Sequence, residues 1–186
     1  NNTSKMLYHN GMLLDKVQFL NIDSDQAMES WTSDWYRTYI YDDNNSLLFI
    51  VPKGARIVKA VDINNDGNNE FVALLDTKLK AYSISGEEVF ELNTTDRILN
   101  FDIKDIDNDG LLDIAYIAYT DNGNFIKIVN ADNNASTKYE AKVMQPATNI
   151  HLFQYIHNPI AGGYSLLFNI GGSYRLDINE IGRAHV

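Results

Sequence analysis

Asp105, Asp107, Asp109 and Asp113 stand at positions 1, 3, 5 and 9 of the stretch DIDNDGLLD, with a glycine at position 6. Asp62, Asn64, Asp66 and Glu70 repeat the arrangement in DINNDGNNE. Side-chain oxygens at alternating positions of a tight loop can face one centre. The backbone carbonyl at position 7, Leu111 or Asn68, adds a further donor. Calcium suits such a set, being a hard cation that takes about 6–8 oxygen ligands at about 2.3–2.6 Å. Without a cation, carboxylates this close repel and raise one another's pKa values. Glycine at position 6 permits a backbone conformation that a Cβ would resist. An Asx-rich turn that binds no metal uses the same residue types, but two full copies in one strand context favour the ion.

A third copy is degenerate. Asn21, Asp23, Asp25 and Glu29 take the side-chain positions and Ala27 the carbonyl position, but Gln26 replaces the glycine. This loop is the weaker candidate. A fourth copy has Tyr155, His157, Pro159 and Gly163 at the ligand positions and is not expected to bind. Counting carboxylates alone, the Asp105–Asp113 loop should bind most tightly. An EF-hand would need an acidic ligand at position 12 and flanking helices. Position 12 is Ala73 in one loop and Tyr116 in the other, both inside apolar runs.

The elements that position these loops repeat with them. The four copies start at residues 21, 62, 105 and 155, so the period is 41, 43 and then 50 residues. Isoleucine is the second residue of each copy: Ile22, Ile63, Ile106 and Ile156. Alternating side chains lead into each copy, as in a half-buried strand. Near-continuous apolar runs follow at Phe71–Leu75, Ile114–Tyr119 and Tyr164–Phe168. Further strand-like pieces lie at Leu79–Ser85, Glu88–Leu92 and Phe125–Asn130, bounded by Ser85-Gly86 and Asp121-Asn122-Gly123. No amphipathic helix is evident. The expected fold class is therefore all-β, a β-propeller of four-stranded blades, incomplete, with about three and a half to four blades present.

The expected divisions are the end of a preceding blade at 1–14 and a blade with the degenerate loop at 15–54. Blades with full acidic loops follow at 55–96 and 97–146, and one without acidic ligands at 147–179. EIGRAHV (180–186) looks like the in-frame translation of a sequencing adapter and is set aside from fold reasoning.

A hydrophobic strand, then Asp-x-Asp/Asn-x-Asp-Gly-x-x-Asp/Glu, then an apolar strand resembles the FG-GAP/VCBS repeats of integrin alpha-subunit propellers and many bacterial surface proteins. The resemblance spans nearly all of 15–179, and two of the four loops carry the full motif. The Phe-Gly and Gly-Ala-Pro signatures of the first family are not evident, so the VCBS-type variant is the better match. The resemblance implies calcium at these same loop positions. It also implies closure with six to eight blades, so the blades counted here would leave an open sheet edge.

Composition narrows the function. The chain has 186 residues, 45% of them hydrophobic, with 25 acidic against 15 basic residues and a formal charge of −10. Ten of those 25 acidic residues lie in the three candidate loops, so the acidity has a local explanation. A nucleic-acid binder would need a surplus of Lys and Arg. No cysteine is present, which excludes disulfides and thiolate chemistry, and no apolar run is long enough for a membrane span. The run SWTSDWYRTYIY (30–41) carries Trp31, Trp35, Tyr36, Tyr39 and Tyr41, and strand packing is the favoured account of it. The four histidines show no metal or triad spacing, and no catalytic motif is visible.

The expected function is a non-catalytic, calcium-stabilised propeller region that binds a protein or glycan in adhesion. One alternative is the propeller of a secreted polysaccharide-degrading enzyme; another is a structural spacer. Extracellular calcium modules often bind with constants of about 10⁻⁴–10⁻³ M, too weak to fill in a resting cytosol. The expected location is accordingly extracellular, cell-surface or periplasmic.

Overall fold

Alternating and apolar stretches form the strands of this chain, and its Asn-, Asp- and Gly-rich stretches form the turns. The computed structural model describes residues 8–9, 12–13, 17–23, 27–106, 109–132, 135–143, 150–158, 163–170 and 173–177. Its elements are strands. Among the described residues no helix is long and apolar enough to cross a membrane.

Strands β1 (Tyr8–His9) and β2 (Met12–Leu13) pair as a short hairpin. The first four-stranded sheet holds β3 (Val17–Leu20), β4 (Glu29–Ser33), β5 (Thr38–Tyr41) and β6 (Leu47–Val51). The second holds β7 (Ala55–Val61), β8 (Glu70–Leu75), β9 (Lys78–Tyr82) and β10 (Glu88–Glu91). The third holds β11 (Arg97–Lys104), β12 (Asp113–Thr120), β13 (Gly123–Asn130) and β14 (Thr137–Val143). A three-stranded sheet follows with β15 (Ile150–Asn158), β16 (Gly163–Ile170) and β17 (Ser173–Asp177). Within each of the larger sheets every strand bonds to the next in sequence, so these sheets are meanders. The tail 180–186, and residues 1–14 apart from β1 and β2, lie outside the described residues.

Each acidic loop joins the first two strands of a sheet. The second strand is the most buried: all six residues of β8 and the first six of β12 are covered. Runs without alternation therefore mark strands packed on both faces. The fourth repeat differs. Its β15 continues through Tyr155–Asn158, pairing Asn158 with Gly163, where the other repeats have opened into a loop. Lacking the carboxylates and the glycine, this stretch stays in the ladder, where its backbone groups are paired.

Contacts divide the chain into two compact units. One comprises residues to Asp76 with Lys80–Phe90, and the other Thr77–Leu79 with the residues from Glu91 onward. The first unit has a core of Ile22, Trp31, Ile40, Phe49, Val51 and Phe71, among others. Trp31 and Phe49 meet Phe71 edge-on, with ring centroids 6.1 and 5.9 Å away. Such T-shaped pairs put the positive edge of one ring on the negative face of another.

In the second unit a polar ladder crosses the third sheet. Tyr116 stands opposite Lys127, and Lys127 opposite Glu140. The Lys127 ammonium pairs with Asp96 Oδ2 at 2.8 Å and with Glu140 Oε2 at 3.4 Å. The buried Tyr116 hydroxyl donates to the same Asp96 oxygen at 3.0 Å. Burial alone would raise the Asp96 pKa, but the hydrogen bonds from Lys127 and Tyr116 and the ammonium charge outweigh it, and the net shift is downward. Burial, with the Asp96 charge added, pushes the Tyr116 hydroxyl well above its usual value.

A depressed carboxylate pKa contributes stability above its ordinary value that is lost as pH falls through the folded value. Asp96 should therefore weaken the second unit below about pH 4. Urea midpoints at pH 7 and pH 3 should fall less on acidification in Asp96→Asn than in the wild type. Equal acid sensitivity would rule Asp96 out as the source.

Candidate metal centres

The three acidic loops share one internal fastening. At position 9 the side chains of Glu29, Glu70 and Asp113 are 1%, 1% and 0% exposed. Each carboxylate accepts the backbone N–H of the position-2 isoleucine: Ile22 at 2.7 Å, Ile63 at 2.9 Å and Ile106 at 3.1 Å. The isoleucine side chains are themselves buried, so those N–H groups lie where an unpaired donor would cost about 1–3 kcal/mol. The carboxylate thus clasps the loop shut. From the sequence, position 9 is expected to be a metal ligand, and the clasp is a second role that the fold adds. The signal for a clasp was present in the pairing of Ile at position 2 with an acid at position 9.

The second loop is described in full. Asp62 accepts the N–H groups of Asp66 and Gly67 at 3.0 and 2.9 Å. Asn64 Oδ1 also accepts from Asp66 N at 3.0 Å, and its amide donates to Asp66 Oδ2 at 3.0 Å. Asp66 Oδ1 accepts the Asn68 N–H at 2.9 Å. Gly67 has a φ of +93°, with open space where a Cβ would stand, so it answers a backbone demand and not a packing one. Among the described residues the partners of these carboxylates are neutral N–H groups. Burial raises the Glu70 pKa; the Ile63 N–H opposes it, and the Asp66 and Asp62 charges reinforce it. The Asn68 and Asn64 hydrogen bonds lower that of Asp66.

The third loop has the same scaffold. The Gly110 N–H reaches Asp105 Oδ2 at 3.0 Å, and the Leu111 N–H reaches Asp109 Oδ1 at 2.8 Å. Gly110 again has a positive φ, +86°. One difference stands out: the Lys138 ammonium lies 3.2 Å from Asp109 Oδ2 and 2.8 Å from Asp113 Oδ1. The Leu111 N–H lowers the Asp109 pKa despite some desolvation, and Lys138 lowers it further. Asp107 lies outside the described residues.

In the first loop the Asn21 amide donates to the Ala27 carbonyl at 3.2 Å, across the two ends of the loop. Asn69 of the second loop donates to the Asn21 carbonyl at 3.1 Å, tying these two loops together. Asp23 is half-buried, and Asp25 and Gln26 lie outside the described residues.

These residues fit calcium by donor type. All are hard oxygens, and each carboxylate oxygen that accepts an N–H keeps acceptor capacity for a second partner. Among the described residues, the buried carboxylate oxygens Glu29 Oε1 and Asp105 Oδ1 have no hydrogen-bond partner, whereas the similarly placed Asp113 Oδ1 has the Lys138 ammonium at 2.8 Å. Burying such an atom unpaired is costly, and a cation would satisfy it. Among the described residues, no three His, Asp or Glu side chains are grouped closely enough to hold an ion. The loops are thus oriented by their own backbone bonds rather than converged.

The aromatic run divides. Trp31 and Tyr39 are buried as expected of strand packing, whereas Trp35 and Tyr36 are 95% and 80% exposed at the β4–β5 turn. Asp34 Oδ1 holds that turn by accepting the Tyr36 and Arg37 N–H groups at 2.7 and 2.6 Å.

No family model and no curated protein matches the chain. Solved structures do. The BBS1N chain in complex with ARL6DN superimposes with TM-scores of 0.58 in a lead-soaked crystal and 0.59 in a mercury-soaked one, at 13% and 14% identity. Each match covers 90% of this chain and 50% or 51% of that one. The Vibrio cholerae biofilm matrix protein Bap1 gives a TM-score of 0.54 at 18% identity, over 75% of this chain and 24% of that one. This chain therefore spans about half of BBS1N and a quarter of Bap1. At these identities the likeness is one of β-rich fold.

Proposed function

We propose that this chain is a run of VCBS-type β-propeller blades from an extracytoplasmic protein. Its interstrand loops bind calcium, and it binds a protein or glycan in adhesion rather than performing catalysis. The recurrence of one loop at the same place in three sheets, each closed by a buried carboxylate on the position-2 N–H, carries this reading. The unpaired buried oxygens of Glu29 and Asp105 support it, and the likeness in fold to a biofilm matrix protein agrees with it.

In the second loop the ion would be held by Asp62, Asn64, Asp66 and Glu70 with the Asn68 carbonyl. In the third it would be held by Asp105, Asp107, Asp109 and Asp113 with the Leu111 carbonyl, and in the first by Asn21, Asp23, Asp25 and Glu29 with the Ala27 carbonyl. Calcium supplies positive charge there, reversing the sign of the carboxylate interactions. The chain's own residues provide the rest: Gly67 and Gly110 set the turn, and the backbone N–H groups aim the acids. The exposed Trp35 and Tyr36 offer apolar faces on which a sugar or a peptide can stack. Tyr116, Asp96 and Lys127 bring together residue types used in acid–base chemistry, but the phenol is buried and already hydrogen-bonded, so this grouping serves the sheet.

Calorimetric titration with calcium should show binding, and Asp66→Ala should reduce its stoichiometry. A glycan or peptide array probed with the protein should lose signal in Trp35→Ala with Tyr36→Ala. Absence of calcium binding at millimolar concentrations would defeat the metal reading.

A further inference from the structure

Lys138 lies in β14, a full hairpin away from the acidic loop it contacts. In the pairing of β13 with β14, Val129 faces Thr137 and Ile128 faces Tyr139, so Lys138 is the extra residue of a β-bulge. Bulges bend a strand and re-aim a side chain. Here the side chain is 20% exposed, and its ammonium reaches one oxygen each of Asp109 and Asp113, which are positions 5 and 9 of the third loop. Asp113 is fully buried, so its charge is one that must be paired. The second loop has the same scaffold, but among the described residues its Asp66 and Glu70 are met by amide and backbone N–H groups and by no ammonium or guanidinium.

We infer that Lys138 is a built-in counter-ion of the third loop, which competes with calcium and leaves the Asp62–Glu70 loop as the stronger calcium site. The inference rests on the reading that these loops bind calcium, and it reverses the order expected from counting carboxylates. A calcium ion entering the third loop must displace an ammonium that already neutralises two of its ligands. An ion entering the second loop displaces at most the neutral Asn64 amide from Asp66, and it relieves repulsion among three acids. Calcium dependence is thereby concentrated in the first unit, while the third sheet keeps its loop fastened without metal.

The test is calorimetric calcium titration of the full chain carrying Asp66→Ala, with and without Lys138→Met. Calcium binding left after Asp66→Ala should be weak, and adding Lys138→Met should tighten it about tenfold. In chelator, Lys138→Met alone should lower the melting temperature because the buried Asp113 carboxylate loses the ammonium at 2.8 Å, and calcium should restore it. Lys138→Arg, which keeps the charge, should resemble wild type in both measurements. If Asp66→Ala leaves tight binding intact and Lys138→Met changes neither the constant nor the melt, the inference alone is overturned. If neither wild type nor any variant binds calcium, the inference and the calcium reading fall together.

Discussion

With calcium bound as proposed, Glu70→Ala should destabilise the protein by about 4–6 kcal/mol, in two separable parts. The first is the clasp. With the carboxylate gone, the Ile63 N–H loses a partner held at 2.9 Å in a buried setting, which costs about 1–3 kcal/mol. The second is the ion. A ligand present at 100 times its dissociation constant stabilises the native state by about 2.7 kcal/mol, and that contribution vanishes if the site is lost. Glu70→Gln separates the two, because the amide oxygen keeps the acceptor while the charge is removed.

The sign in the absence of metal is opposite for this variant. The Glu70 pKa is raised, chiefly by burial and further by Asp66 and Asp62. The folded chain therefore binds a proton there more tightly than the unfolded chain. Stability without calcium rises as pH falls toward the ordinary glutamate range of about 4–4.5. Glu70→Gln should therefore be neutral or stabilising in chelator at pH 7, yet lose the calcium response. Urea unfolding in chelator and in millimolar calcium reads both. If the Gln and Ala variants lose equal stability in chelator, the clasp is not the operative interaction.

Phe71→Ala should cost the first unit about 3–5 kcal/mol, the usual range for emptying a buried aromatic site. Phe71 is fully buried at the start of β8, with Trp31 and Phe49 both edge-on to its ring. Collapse of the surroundings is restrained because Ala73 and Leu75 on the same strand are packed into the same core. Trp31 fluorescence supplies the readout, since the chain's other tryptophan, Trp35, is exposed and should respond little. A cost below about 1 kcal/mol would mean that this core is not packed as described.

Much of the architecture was legible because it is written in neighbouring residues. The runs Phe71–Leu75, Ile114–Tyr119 and Tyr164–Phe168 lie within β8, β12 and β16, since a strand of that length announces itself by apolar content and flanking turns. The positive φ values of Gly67 and Gly110 were likewise anticipated from position 6 of each loop. Other features were not legible. Trp31 and Trp35 lie in one aromatic run, but only the first sits within a strand facing the core, and the turn that ejects the second depends on Asp34. Tyr155–Asn158 aligned with the loops yet stays in the ladder, because the alignment carried the frame without the residues that open it.

The sequence by itself determined the strand–loop–strand period and the identity of the oxygen-bearing residues, because both follow from side chains a few positions apart. Only the tertiary structure decided what each carboxylate meets. Glu29, Glu70 and Asp113 turn inward onto a backbone N–H, and Lys138 reaches Asp109 and Asp113 through a bulge in a distant strand. Burial and charge partnership are set by strand register, and register is fixed by the pairing of segments far apart in the chain.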